Sequence, residues 1–103
     1  MFGLRKSDQE LIKQAIGKYN EVKRAVVFGS RAMGNYKKGS DIDIAVMGEG
    51  ITRSMISDLN FSLNEESHLP YFFDVVHYER ITNKELIAHI DMEGIEMYSV
   101  KSL

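Results

Sequence analysis

Apolar positions along this chain alternate between two rhythms, one with a helical period and one with the period of a half-buried strand. Leu11, Ile12, Ala15 and Ile16 recur at helical spacing behind Ser7, with Glu10 three residues after that serine. The arrangement predicts a capping box and a helix from about Asp8 to Lys18. Arg24 to Phe28 (RAVVF) reads as a strand, and Ser30 opens a short helical segment after Gly29. A turn-rich crossing at Gly34-Asn35 and Lys38-Gly39 leads to a second strand, Asp41 to Met47, which Gly48 and Gly50 end. Met55, Ile56, Leu59 and Leu63 place an amphipathic helix over Thr52 to Glu65. Pro70 precedes Tyr71 to His77 (YFFDVVH), aromatic and β-branched enough for a third strand. Asn83 caps a last helix, Lys84 to about Glu93, with Leu86, Ile87 and Ile90 inward and Gly94 at its end; a short extended tail, Ile95 to Val100, follows. Strands interleaved with helices over 103 residues indicate one α/β (α+β) domain, residues 1–103, with a modest core.

The chemistry concentrates in Phe28 to Val46, FGSRAMGNYKKGSDIDIAV. Gly29, lacking a Cβ, permits a sharp turn and close approach by a ligand. Ser30 then presents its hydroxyl beside the free amides of a first helical turn, an anion site. After ten intervening residues, strand alternation puts Asp41 and Asp43 on one face and Ile42 and Ile44 on the other. Carboxylates about 6.5–7 Å apart along a strand repel unless a cation lies between them. Magnesium often binds through one or two carboxylates plus substrate phosphates. A phosphate cradle and a metal site would thus converge on one nucleoside triphosphate. Asp74 interrupts the third strand, and two accounts stand. Either that strand is an edge and Asp74 faces water, or Asp74 lies beside Asp41 and Asp43 and completes a metal site; the upstream pair favours the second.

Composition narrows the surroundings. Charged residues make up 27% and the net charge is -2, so no basic signature for coating nucleic acid exists, and no direct nucleic-acid contact is expected. Arg31, Lys37 and Lys38 form a local positive cluster, read either as a solvated loop or as an attraction for phosphate. Cysteine is absent, which removes disulfides, thiolate zinc sites and thiol catalysis. His68, His77 and His89 share no metal-binding spacing and read as surface or structural residues, and the six methionines as core filling. No stretch approaches a membrane span and the N-terminus lacks the apolar core of a signal peptide, so a cytoplasmic location without membrane contact is expected.

Gly29-Ser30, ten residues, Asp41-Ile42-Asp43 and a later Asp74 on a strand together resemble the nucleotidyltransferase superfamily typified by DNA polymerase beta. The GSRA…G…SDIDIAV wording, the short length and the EGIEMY ending are similar to the minimal nucleotidyltransferases of prokaryotic MNT/HEPN toxin-antitoxin systems. The resemblance implies a small mixed sheet flanked by helices, the polymerase beta-like palm. It implies that Asp41, Asp43 and Asp74 are catalytic and hold two Mg2+ ions, Asp74 helping to activate the attacking hydroxyl. Gly29, Ser30 and Arg31 would bind the nucleotide, although a structural role bracing the turn suits Arg31 equally. The implied reaction transfers AMP from ATP, releasing pyrophosphate, to a hydroxyl, typically of a tyrosine, on a HEPN-domain toxin that this chain serves as antitoxin. The alternative is a non-catalytic antitoxin that silences the HEPN partner by occlusion. Met33 and the basic loop Asn35 to Gly39 depart from the family wording.

Overall fold

The structure is a computed structural model that describes residues 2–37 and 39–100. Lys38, one of the three cations of the basic cluster, lies outside the described residues. Among the described residues, four α-helices and four strands follow one another as α1 (Lys6–Gly17), β1 (Arg24–Phe28), α2 (Ser30–Met33), β2 (Ile42–Met47), α3 (Arg53–Phe61), β3 (Phe73–His77), α4 (Lys84–Glu93) and β4 (Ile95–Ser99). The strands form one sheet in the order β3-β2-β1-β4. β1 runs antiparallel to both β2 and β4, whereas β2 and β3 are parallel, so the sheet is mixed as expected. The residues that read as an extended tail form β4, a full strand against β1.

Alternation along the strands sorts side chains to two faces. Ala25, Val27, Ile42, Ile44, Val46, Phe73 and Val75 join Ile12, Ile16, Leu59 and Leu63 from the helical segments in the larger core. Each fully buried Val, Leu or Ile there contributes about 1.5–3 kcal/mol relative to exposure. The opposite face carries a smaller core of Val26, Phe28, Ala45 and Ile90, with Val76, Tyr78 and Leu86 packed against it. Helix α4 lies over this second face. It does not cover the whole of it, and the uncovered part is where the acidic residues of β2 and β3 sit.

Strand β2 begins at Ile42 instead of Asp41 and β3 at Phe73 instead of Tyr71, and two helix boundaries differ from the sequence reading for identifiable reasons. Ser7 is not an N-cap: α1 begins at Lys6 behind Arg5, with no side-chain cap. Its start is fixed instead by burial of Phe2 and Leu4 and by the Gln9 side-chain amide, which donates to the Leu4 carbonyl at 3.1 Å. Glu10 faces Lys13 at 3.6 Å instead of reaching back to a cap. Helix α3 ends its α-helical course at Phe61 and continues as one π-helical turn, Ser62–Glu66.

The last turn of α3 and the π-helical turn after it bring one asparagine each, Asn60 and Asn64, to the outer edge of β3. Asn64 Nδ2 donates to the Phe73 carbonyl at 2.9 Å, and the Phe73 amide donates to Asn64 Oδ1 at 2.8 Å. Asn60 repeats the pair on Val75, at 3.0 and 2.9 Å. Each side-chain amide thus stands in for a peptide of a neighbouring strand, and the exposed edge is closed to pairing with another chain. Four residues apart, the two asparagines share one helix face, which puts their amides beside alternate β3 residues.

Candidate functional site

The site is built on one end of the sheet, where β1 finishes and β2 and β3 begin. Phe28 pairs with Asp43 across β1 and β2, and Asp43 pairs with Asp74 across β2 and β3. One row across three strands therefore runs from the Gly29 turn through Asp43 to Asp74. Asp41 lies two residues before Asp43 at the entrance to β2, exposed, and Asp74 is exposed as well. β3 is an edge strand and Asp74 is exposed, as the first account of Asp74 has it, and its lateral neighbour on β2 is Asp43.

Asp43 is the half-buried member of the set. Burial pushes its carboxyl above the usual carboxylate range, the charges of Asp74 and Asp41 push it further, and His89 offsets part of this. Three oxygen-bearing groups close enough to repel one another suit a hard divalent cation in donor chemistry. Among the described residues, however, no group of three or more acidic, histidine or cysteine side chains is drawn together tightly enough to enclose an ion. The carboxylates form an open row, compatible with a cation that takes its remaining ligands from phosphate and water.

Gly29 is constrained on several sides. Its φ of 73° and ψ of -154° lie in a region open essentially to glycine alone. A Cβ built there would stand 2.5 Å from Asp43 Oδ2, so the missing side chain is the space the carboxylate occupies. The Gly29 carbonyl accepts from the amides of Ala32 and Met33, both at 3.1 Å, which closes the single turn of α2. The amides of Ser30 and Arg31 are the first-turn donors that such closure leaves without an intrahelical partner. The Gly29 amide itself donates to His89 Nε2 at 3.0 Å.

Arg31 takes the bracing role. It is 4% exposed, donating to the Ser40 carbonyl through Nε (3.3 Å) and Nη2 (2.9 Å) and to the Phe2 carbonyl through Nη1 (3.3 Å). Its guanidinium also lies against the rings of Tyr36, 4.9 Å from the centroid, and Tyr71, at 5.5 Å. With its fork bound to backbone carbonyls, it fastens the far end of the α2–β2 loop to the N-terminal segment. Ser40 adds a bond from the Lys37 amide to its own hydroxyl, 2.8 Å, so the ten-residue crossing is pinned just before Asp41.

His89 is the residue that pattern reasoning missed. It follows the inward positions of α4 by helical geometry but shares no metal-ligand spacing, and only the packing of α4 over the second face carries it to the turn. Its ring also meets Phe28 edge-on, with centroids 6.1 Å apart. His68 is exposed, and His77 holds the Gly48 carbonyl at 3.0 Å at the other end of β2, so these two fit the surface and structural reading.

No curated protein sequence matches the chain. Among solved structures, a chain in the crystal structure of a toxin-antitoxin with AMP-PNP superposes with a TM-score of 0.74 at 19% identity, over 94% of this chain and 76% of that one. The toxin-antitoxin MntA-HepT gives 0.71 at 18% identity, covering 93% and 74%. A complex of tri-AMPylated Shewanella oneidensis HEPN toxin with MNT antitoxin gives 0.62 at 21%, covering 89% and 73%. These likenesses establish the fold. The family model described as Polymerase beta, Nucleotidyltransferase matches residues 10–102, nearly the full length, and the chain belongs to that nucleotidyltransferase family.

Proposed function

We propose that this chain is a magnesium-dependent nucleotidyltransferase that moves AMP from ATP to a hydroxyl group of a HEPN-domain toxin, a tyrosine in preference to serine or threonine. The observation that carries the reading is the row Gly29–Asp43–Asp74, which sets a glycine-serine turn, a half-buried carboxylate and an exposed carboxylate side by side at one end of the sheet. Support for the partner comes from the similar complexes, one with AMP-PNP and one whose HEPN toxin is AMPylated.

In this reading Ser30 Oγ and the amides of Ser30 and Arg31 hold the β and γ phosphates, while Asp41, Asp43 and Asp74 hold magnesium. The bound ions would supply charge neutralisation for the attacking and leaving oxygens of an in-line displacement. The bond formed joins the acceptor oxygen to the α-phosphorus, and the bond broken is the one to pyrophosphate. The acceptor's proton passes to the Asp74 carboxylate. Because the phosphate turn lies on the β1 side of Asp43, an in-line acceptor arrives from the β3 side, past Asp74. Phe72 stands there, 73% exposed, its carbonyl accepting from the Ile42 amide at 2.8 Å. An exposed ring two residues from the acceptor-side carboxylate suits the flat body of a phenol.

The reading is tested by incubating the protein and its HEPN partner with α-labelled ATP and magnesium, beside the Asp41→Asn/Asp43→Asn variant. Label on the partner with the wild type alone is the expected result. Absence of label despite a stable complex would instead support silencing by occlusion.

A further inference from the structure

The imidazole of His89 makes a contact that packing alone does not call for. Nε2 accepts from the Gly29 amide at 3.0 Å, which requires a bare lone pair on Nε2 and so places the ring proton on Nδ1. The donor is the backbone of the one residue whose conformation, φ 73° and ψ -154°, shapes the turn. A peptide free to rotate at a glycine would let this turn sample other shapes, because glycine has no Cβ to restrict it. Three constraints hold it here. The β1–β2 ladder ends at the Phe28–Asp43 pair, Asp43 Oδ2 fills the space beside the Gly29 α-carbon, and His89 fixes the plane of the peptide joining Phe28 to Gly29. The first two come from the sheet. The third comes from α4, a helix distant in sequence, whose Ile90 is 2% exposed in the smaller core and so anchors the neighbouring His89.

We infer that His89 is a positioning residue for nucleotide binding: through Nε2 it locks the Gly29 peptide so that the Ser30 hydroxyl and the following amides face the triphosphate beside Asp43. It acts through its hydrogen bond on the backbone of the turn and reaches Asp43 only through space, so its loss weakens the grip on nucleotide first. The same bond keeps the Gly29 amide out of the phosphate site and assigns anion contact to Ser30 and Arg31 amides. This inference rests on the proposed nucleotide site.

The test compares His89→Leu, which keeps volume and removes the acceptor, with His89→Gln, whose side-chain oxygen can occupy the position of Nε2. Two readouts are taken: affinity for magnesium AMP-PNP by calorimetry, and the Gly29 amide proton shift by NMR without nucleotide. One hydrogen bond of this kind corresponds to about a tenfold change in affinity. His89→Leu is expected to bind AMP-PNP about tenfold more weakly with an upfield Gly29 amide, and His89→Gln to restore both. Unchanged affinity in His89→Leu would overturn the inference, as would equal losses in the two variants, which would point to packing against Phe28. If the wild type bound no nucleotide, the proposed site would fail while the amide shift still judged the bond: an unmoved Gly29 signal in His89→Leu overturns the positioning role. Should His89→Leu not fold, a His89→Gln protein with lost affinity and a displaced amide would overturn it equally.

Discussion

Replacing Gly29 by alanine separates two costs that the structure places at one residue. The backbone there lies where only glycine is comfortable, and a Cβ in that region costs about 1–3 kcal/mol. The new Cβ would also meet Asp43 Oδ2 at 2.5 Å, so the carboxylate must retreat by about 0.9 Å to reach ordinary contact at 3.4 Å, leaving its rotamer at about 0.5–1.5 kcal/mol. Together these amount to about 2–4 kcal/mol, a melting temperature lower by about 10–20 °C for a domain of this size. Gly34 provides the control, since its φ of 82° is left-handed and nothing stands within 4 Å of a Cβ placed there. Gly34→Ala therefore carries backbone strain alone, about 1–2 kcal/mol. The assay is urea denaturation of both variants, paired with nucleotide transfer at a temperature where each remains folded. Gly29→Ala should lose about a hundredfold in transfer because a reactive carboxylate is displaced by about an ångström, and Gly34→Ala should keep most of its activity. Equal stability losses together with equal transfer rates would refute the placement of Asp43 against Gly29.

Four further outcomes follow from the same geometry. Asp43→Asn should abolish transfer yet stabilise the protein at neutral pH by about 0.5–1 kcal/mol, the scale of partly solvated charge pairs. The folded carboxyl titrates above its unfolded value, so its favourable contribution is complete below the unfolded value and lost as pH rises through the folded one. The gap between variant and wild type in urea denaturation must therefore close as pH falls. Asn60→Ala and Asn64→Ala should each cost about 1–3 kcal/mol by leaving β3 peptides unpaired, and the double variant should self-associate in sedimentation through its opened edge. Arg31→Ala should cost about 2–4 kcal/mol, because the Ser40 and Phe2 carbonyls lose their donors, while the folded fraction keeps its nucleotide affinity; a stable variant with lost affinity would return Arg31 to the phosphate site. Phe72→Ala should raise the KM for the acceptor about tenfold and leave AMP-PNP affinity unchanged; a matched fall in nucleotide affinity would contradict the assigned side.

Much of this was legible because the decisive features are local. The RAVVF strand, the glycine turn and the DIDIAV strand are read from alternation and from one residue without a Cβ; the first two stand where the pattern places them and the third begins one residue later, at Ile42. Asn83 announces α4 for the same reason, its side chain accepting from the Leu86 amide at 3.0 Å. What escaped depends on contacts between distant segments. Asn60 and Asn64 look like ordinary polar positions on a helix until the edge of β3 is known to run beside them. Ser7 and Glu10 satisfy the wording of a capping box, but the burial of Phe2 and Leu4 starts the helix earlier. His89 carries no motif, and only its arrival over Phe28 gives it a role. Asp74 reads two ways because strand pattern cannot tell an edge from a site, and here an edge position and a place beside Asp43 coincide.

The central claim is that the row of carboxylates beside the Gly29 turn performs nucleotidyl transfer. It is tested most directly by parallel incubations of the protein and the proposed HEPN partner with α-labelled and γ-labelled ATP. The account predicts label on the partner from the α position only, with the γ label recovered in pyrophosphate. Label carried from the γ position, or transfer that survives Asp41→Asn/Asp43→Asn, would contradict it.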